Sequence, residues 1–172
     1  MRLDNRLQAF NEKRVALLDE METLDAATLV AKPRVGKWSI LEIIEHLVLA
    51  ERAVLQDLPE PSRLRPRART LKHRFAYLTV MFVLKYGIPV PVPSPAMVPR
   101  GDRSVGELRR LWNENQHWLR AYIRDLDRKG LRRAVFAHPV AGPLTVGQAV
   151  HMDQVHLDRH VRQIRRLQRL LT

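Results

Sequence analysis

Two histidines near the carboxyl end of the chain, His156 and His160, have the spacing of a metal-chelating pair. Residues four apart on an α-helix lie on one face with Cβ atoms about 6 Å apart, so both imidazoles can reach one ion. His151 lies roughly 140° and 180° around such a helix from these two residues, and we expect it to point away from them. Isolated pairs of this kind also occur on surfaces and in hydrogen-bonded cores, so the spacing alone leaves both interpretations open.

A third ligand for the same ion has to come from another segment, and His46 is the best candidate. Apolar residues one turn away, Ile43 and Ala50, predict that His46 points towards the interior of a helical domain. Glu42, one turn before it, either orients the imidazole as a hydrogen-bond acceptor or caps the helix together with Ser39. The capping interpretation is favoured.

The remaining residue types limit the chemistry. The chain has no cysteine, so any metal must be held by nitrogen and oxygen ligands. His73, His117 and His138 lack a partner at ligand spacing and are predicted to be structural or solvated. Asp153, one turn before His156, suits either a base or orienting acceptor or an ion pair with an arginine, and we assign it no catalytic role from sequence.

Amphipathic patterns and capping boxes predict the helices that position these residues. The predicted helices cover residues 3–24, Ile40 to about Asp57, about Leu71 to Tyr86, Ser104 to about Asp127, and Val146 to near the end. The capping boxes pair Ser39 with Glu42, Ser104 with Glu107, and Thr145 with Gln148. Prolines and glycines predict an exposed connection over residues 58–70, a helix end at Gly87, an extended Pro-rich strap over residues 88–99 and a loop over residues 128–144.

These elements predict an all-α fold, a four-helix bundle with a long crossover connection and one extra helix, in a single domain spanning residues 1–172. The long connection from residue 58 to residue 104 allows neighbouring helices to run parallel.

The 30 Lys and Arg residues against 18 Asp and Glu leave a formal charge of +12, which favours anionic partners such as nucleic acid, membrane headgroups or acidic metabolites. Two arginine series are more typical of solvated faces than of nucleic-acid grooves: Arg63, Arg65, Arg67 and Arg69, and Arg162, Arg165, Arg166 and Arg169. Aromatic residues make up only 6% of the chain, and Trp38, Trp112 and Trp118 are interpreted as packing residues, so nucleic acid is not favoured.

The amino-terminal residues lack the pattern of a secretory signal. The most apolar stretch, Phe75 to Leu84, is too short to cross a hydrocarbon layer of about 30 Å. We therefore expect a cytoplasmic protein without membrane insertion.

Three segments together resemble one known family. VGKWSILEIIEHLVLAE resembles the amino-terminal signature of the DinB-like superfamily, which includes the YfiT-type proteins, and HPVAGPLTVGQAVHMDQVHLDRHVRQI resembles its carboxyl-terminal signature. PSPAMVPRGDRSVGELRRLW is similar to the Pro-rich segment between them, and the resemblance covers roughly residues 5–170. It implies a homodimer and a divalent metal, zinc or nickel, held at the matching positions His46, His156 and His160.

Three neutral imidazoles leave an open coordination position at which a water or thiol can become a nucleophile near neutral pH. Some characterised relatives transfer low-molecular-weight thiols such as bacillithiol or mycothiol to electrophiles, so the resemblance implies a thiol transferase or a related hydrolase with a metal-bound thiol or water as nucleophile. The alternatives are a non-catalytic metal-binding or stress-response module that touches nucleic acid through its arginines, and a metal that only stabilises the bundle.

Overall fold

A computed structural model describes residues 3–64 and 68–171. The exposed positions predicted for Arg65, Arg67 and the side chain of Arg63 lie outside the described residues. The described helices are α1 (Leu3–Glu22), α2 (Ala26–Val30), α3 (Ile40–Gln56), α4 (Leu71–Tyr86), α5 (Val105–Arg124), α6 (Arg128–Arg132) and α7 (Val146–Leu171). An antiparallel hairpin of β1 (Ala134–His138) and β2 (Gly142–Thr145) precedes α7, and short 3-10 turns occur at Pro61–Arg63 and Pro95–Met97.

The three predicted capping boxes are present at the starts of α3, α5 and α7. At α3, the Glu42 carboxylate accepts the backbone N–H of Ser39 at 2.8 Å, and Ser39 Oγ accepts the N–H of Glu42 at 3.2 Å. The equivalent reciprocal bonds join Ser104 with Glu107, and Thr145 with Gln148. Each box satisfies two N–H groups that a helix start leaves without intrahelical partners. Glu42 therefore has the capping role that the sequence favoured.

Helices α3 and α5 run parallel, as the long crossover between them allowed. Near the start of α3, Glu45 accepts the backbone N–H of Gly101 at 2.7 Å, just before α5 begins. Beyond the end of α3, the Pro59 carbonyl accepts the Tyr122 hydroxyl, near the end of α5, at 3.0 Å. Because the contacts advance along both helices in the same direction, the crossover returns the chain to the end of the bundle where α3 began.

Helices α1 and α7 also run parallel, since Gln154 donates to the carbonyl of Arg6 and, further along both helices, Gln168 donates to Glu20. Helix α7 runs antiparallel to α3. The central apolar core lies between these four helices and includes Leu18, Met21, Ile40, Ile43, Ile44, Leu108, Trp112, Leu157 and Ile164. This packing confirms the predicted four-helix bundle.

The prediction of a loop over residues 128–144 is wrong. This stretch contains the short helix α6 and the hairpin, in which Phe136 pairs with Leu144 and His138 with Gly142. Val135 and Phe136 are buried in a second apolar cluster, so tertiary packing stabilises strands that are too short to show a clear alternation in sequence. The five-residue helix α2 was likewise not predicted.

The extra apolar helix α4 has the predicted bounds, and Gly87 ends it in the left-handed conformation, with φ of 67°. Its inner face packs on α7, where the Tyr77 hydroxyl lies 3.2 Å from His151 Nδ1. None of the helices in the described part of the chain combines the length and the hydropathy that a membrane-spanning segment requires.

The packing of α4 against the hairpin can be tested at Gly142, which lies at the hairpin turn. Its φ of +70° is unfavourable for other residues, and an added Cβ would lie 2.6 Å from Cδ2 of His73. We expect Gly142→Ala to lower the free energy of unfolding by about 2–4 kcal/mol, measured by urea denaturation. Gly36→Ala is the matched control because Gly36 has φ of +75° and open space around its Cβ position. Equal losses in the two variants would show that the His73 contact contributes nothing.

Candidate metal centre

The structure brings together the imidazoles of His46 on α3 and of His156 and His160 on α7. The ring centroids are 5.3 Å apart for His46 and His156, 5.2 Å for His46 and His160, and 4.6 Å for His156 and His160. One ring nitrogen from each residue lies within 4.8 Å of the other two. The antiparallel packing of α3 against α7 thus places the third histidine beside the i, i+4 pair.

Hydrogen bonds at the outer nitrogens fix the orientation of two of the rings. His46 Nδ1 donates to the backbone carbonyl of Met97 at 2.8 Å, and His160 Nδ1 donates to the Gln163 side-chain oxygen at 3.0 Å. Each neutral ring therefore directs the lone pair of its Nε2 towards the other histidines. Met97 belongs to the 3-10 turn in the Pro-rich strap, so the strap itself orients a site residue.

Burial keeps these imidazoles neutral. It lowers the pKa of His46, lowers that of His160 to about 3, and lowers that of His156 well below its ordinary value. The neighbouring histidines act in the same direction on His156 and His160, because a second positive charge in the cluster is unfavourable. Neutral imidazole is the form that binds metals, so the ligands need no deprotonation near neutral pH.

The donor set fits a divalent cation. The Nε2 atoms of His156 and His160 are 3.0 Å apart, and two lone pairs at that distance repel unless a proton or a cation lies between them. Three nitrogen donors suit the divalent ions that prefer imidazole and leave further coordination positions open. That these histidines bind a metal remains a prediction.

The histidine cluster opens into a cavity of about 660 Å³. Most of its wall is apolar and comes from α3, the inner face of α4, the Pro-rich strap, the hairpin and α7. Trp38 packs against the His46 ring at a centroid distance of 4.8 Å and also lines the cavity. The charged side chains among the lining residues are Glu51, Asp153 and Arg159.

Glu51 and Asp153 form a carboxyl pair in this wall. Glu51 accepts hydrogen bonds from Trp112 Nε1 and Gln116 Nε2 on α5. Burial raises the pKa of Glu51 well above its ordinary value, and the charge of Asp153 raises it further. Burial also raises the pKa of Asp153, to about 7. Two carboxyls in one desolvated site cannot both ionise easily, so the pair holds a proton near neutral pH.

For Asp153, the sequence allowed an ion pair with an arginine, but the structure places this residue in a carboxyl pair with Glu51 instead. Among the described residues no arginine forms a salt bridge with it. Sequence reasoning missed Glu51 as a site residue, although it follows His46 by five positions on the inward face of α3. An acidic residue on a largely buried helical face was the available signal.

The other histidines, the second arginine series and the tryptophans lie as follows in the structure. His151 forms a hydrogen bond with Tyr77 outside the cavity, and His73 caps α4 together with Thr70. His138 accepts two backbone N–H groups of the hairpin turn, and His117 is exposed.

The arginines of the second series lie on the exposed face of α7, as predicted: Arg162, Arg165, Arg166 and Arg169. Trp38 and Trp112 are packing residues, whereas Trp118 is 38% exposed and does not have that role.

Comparison with known proteins agrees with this architecture. Residues 9–164 match the DinB superfamily. A solved structure of YfiT from Bacillus subtilis, described as a probable metal-dependent hydrolase with an unusual four-helix bundle topology, aligns over 96% of this chain and 85% of that chain, with a TM-score of 0.59 and 19% identity. TT2238, described as a four-helix bundle protein, aligns over 90% and 91% of the two chains, with a TM-score of 0.50 and 20% identity. No curated protein matches the sequence.

Proposed function

This chain belongs to the DinB superfamily, and from that premise we propose that it is a metal-dependent enzyme whose divalent ion, zinc or nickel, is held by His46, His156 and His160. One observation carries the proposal: three neutral, desolvated imidazoles converge at the wall of a largely apolar cavity that also contains a carboxyl pair. A site that only stabilised the bundle would need neither the cavity nor the pair.

The proposed reaction is transfer of a low-molecular-weight thiol to an electrophile, or a related hydrolysis. A divalent ion on three imidazoles supplies Lewis acidity and lowers the pKa of a thiol or water at its open position. The description of YfiT as a probable metal-dependent hydrolase supports the hydrolytic form of the proposal. The thiol form rests on the resemblance of the two signature segments.

The carboxyl pair is suited to proton transfer. A general base works best when its pKa lies near the operating pH, and the Asp153 pKa of about 7 meets that condition. Asp153 precedes His156 by one helical turn and lines the same cavity as the three histidines. We assign Asp153 the acceptance of the proton that a thiol or water would lose at this site, with Glu51 as the second carboxyl of the pair.

Arg159 is suited to binding an anionic group of the substrate. Arg159 lines the cavity and forms no salt bridge with a carboxylate of the described residues. Burial lowers its pKa, as expected for a cation partly removed from water without an anionic partner. A thiol or electrophile that carries a carboxylate would supply that partner.

The test is to load the protein with zinc or nickel and to measure conjugation of bacillithiol, mycothiol or another low-molecular-weight thiol to 1-chloro-2,4-dinitrobenzene. Ester hydrolysis without thiol is measured in parallel. We expect metal-dependent turnover in one of the two assays, abolished by a chelator and restored by the metal. Metal that raises the melting temperature without turnover in either assay would contradict the enzymatic proposal and favour a structural ion.

A further inference from the structure

The outer face of α4 carries a continuous apolar stripe that nothing in the described part of the chain covers. Its large side chains are between 55% and 70% exposed, and the stripe consists of Leu71, Phe75, Leu78, Phe82 and Tyr86. These residues follow one another at spacings of three and four, which places them on one side of the helix along its whole length. The opposite side packs on α7 and lines the cavity through Val80 and Leu84. Helix α4 is therefore apolar on both faces, and within the described part of the chain only the inner face has a partner.

Basic residues border the stripe on both sides. At about 100° per residue, Arg74 and Lys85 lie along one edge and Lys72 along the other. All three are exposed and form no salt bridge with a described carboxylate. In the sequence, the whole segment between Glu60 and Asp102 has eight Lys and Arg residues and no Asp or Glu. Most of the +12 charge thus belongs to the segment that carries the stripe.

This charge distribution distinguishes between two occupants. A second copy of the chain, packed stripe against stripe, would bring Arg74 and Lys85 of one copy near the basic residues of the other, with no acidic residue in the segment to pair with them. An anionic lipid surface offers phosphate groups to the basic edges while its acyl region accepts Leu, Phe and Tyr side chains. Helices with an apolar face between basic edges bind the interface of such membranes.

We propose that α4 docks this protein onto the surface of an anionic phospholipid bilayer through its outer apolar stripe and the basic residues beside it. The helix lies along the surface, since no described helix suits a membrane span. Ile88 and Val90, 40% and 53% exposed in the adjoining strap, extend the apolar surface. Because α4 and the strap also wall the cavity, docking places the cavity beside the bilayer. The proposal does not depend on the metal or on turnover.

The test is cosedimentation of the full-length protein with vesicles of equal parts phosphatidylcholine and phosphatidylglycerol, and with vesicles of phosphatidylcholine alone. We expect binding to the anionic vesicles and little to the neutral ones. Phe75→Ser with Phe82→Ser leaves the charge unchanged and is expected to lower the vesicle partition coefficient by about tenfold or more. Circular dichroism verifies that the variant is folded.

Two controls separate this surface from the general basicity of the chain. Val30→Ser with Leu170→Ser removes two side chains of comparable exposure, 53% and 66%, that lie outside α4, the strap and the cavity, and it should leave binding unchanged. Arg74→Ser with Lys85→Ser should weaken binding to the anionic vesicles more than the same loss of charge at exposed Arg128 and Lys129.

Equal binding by the stripe variant and the wild type would overturn the proposal. So would a wild-type dimer, detected by light scattering, that binds neither vesicle and becomes monomeric in the stripe variant, since the second copy would then occupy this face. Binding retained by a His46→Ala, His156→Ala, His160→Ala variant is expected, and it keeps the result separate from the proposed enzyme function.

Discussion

Replacing His46, His156 and His160 together with alanine is expected to reduce bound zinc or nickel from about one equivalent per chain to background. All three side chains contribute one nitrogen to the same cluster, so no set of donors of this kind remains among residues 3–64 and 68–171 after the change. The measurement is elemental analysis of untagged protein, incubated with each metal and passed through a desalting column. Thiol transfer or hydrolysis should be lost with the metal.

The matched control is His151→Ala, which removes an imidazole from the same helix but from outside the cavity, where it contacts Tyr77. It should retain the full metal content. Metal-free wild-type protein after incubation with either ion would refute the site, and equal metal in the wild type and the triple variant would place the ion elsewhere.

Replacing Asp153 with asparagine is expected to lower the rate of the proposed reaction by about 10²–10⁴-fold and at the same time to stabilise the protein at alkaline pH. The asparagine side chain has nearly the same shape but neither ionises nor accepts a proton. A residue that only supported the fold would not combine these two effects. The rate is measured on metal-loaded protein, and the stability by urea denaturation at several pH values.

The sign of the stability change follows from the raised pKa. The folded pKa of Asp153, about 7, lies above the value of about 3.9 expected in the unfolded chain. The folded state therefore binds more protons between these values, and stability is lost as the pH rises through the folded pKa. At about pH 8 the wild type carries this cost, which for a shift of about three pKa units amounts to about 4 kcal/mol, and Asp153→Asn does not, so the variant should gain up to that amount. At about pH 4 the gain should disappear.

Asp158→Asn is the control on the same helix, because Asp158 is solvent-accessible and pairs with Lys13. Exposed pairs of this kind contribute about 0–1 kcal/mol, so we expect a small loss of stability and an unchanged rate. A loss of stability at alkaline pH in Asp153→Asn, with the rate preserved, would contradict both the carboxyl pair and its proposed role.

Features that depend on neighbouring residues were predictable from the sequence. The capping boxes at Ser39, Ser104 and Thr145 are local hydrogen-bond patterns, and the bounds of α4 follow from an apolar run that ends at Gly87. The shared face of His156 and His160 likewise needs only the helical repeat. The capping box at the start of α4, formed by Thr70 and His73, was not predicted, because Glu or Gln usually completes such a box and histidine does not.

What the sequence alone determined was therefore the set of main helices and the shared face of His156 and His160, which follow from contacts within about one helical turn, and the bundle fold, because amphipathic helices pack their apolar faces together. The tertiary structure decided how the distant pieces meet. It placed His46 beside the pair, set the Met97 carbonyl to orient that ring, buried the hairpin, and brought Glu51 to Asp153 so that desolvation and like charge shift their pKa values. These properties depend on burial and on distances between residues far apart in the chain, and no local pattern encodes either quantity.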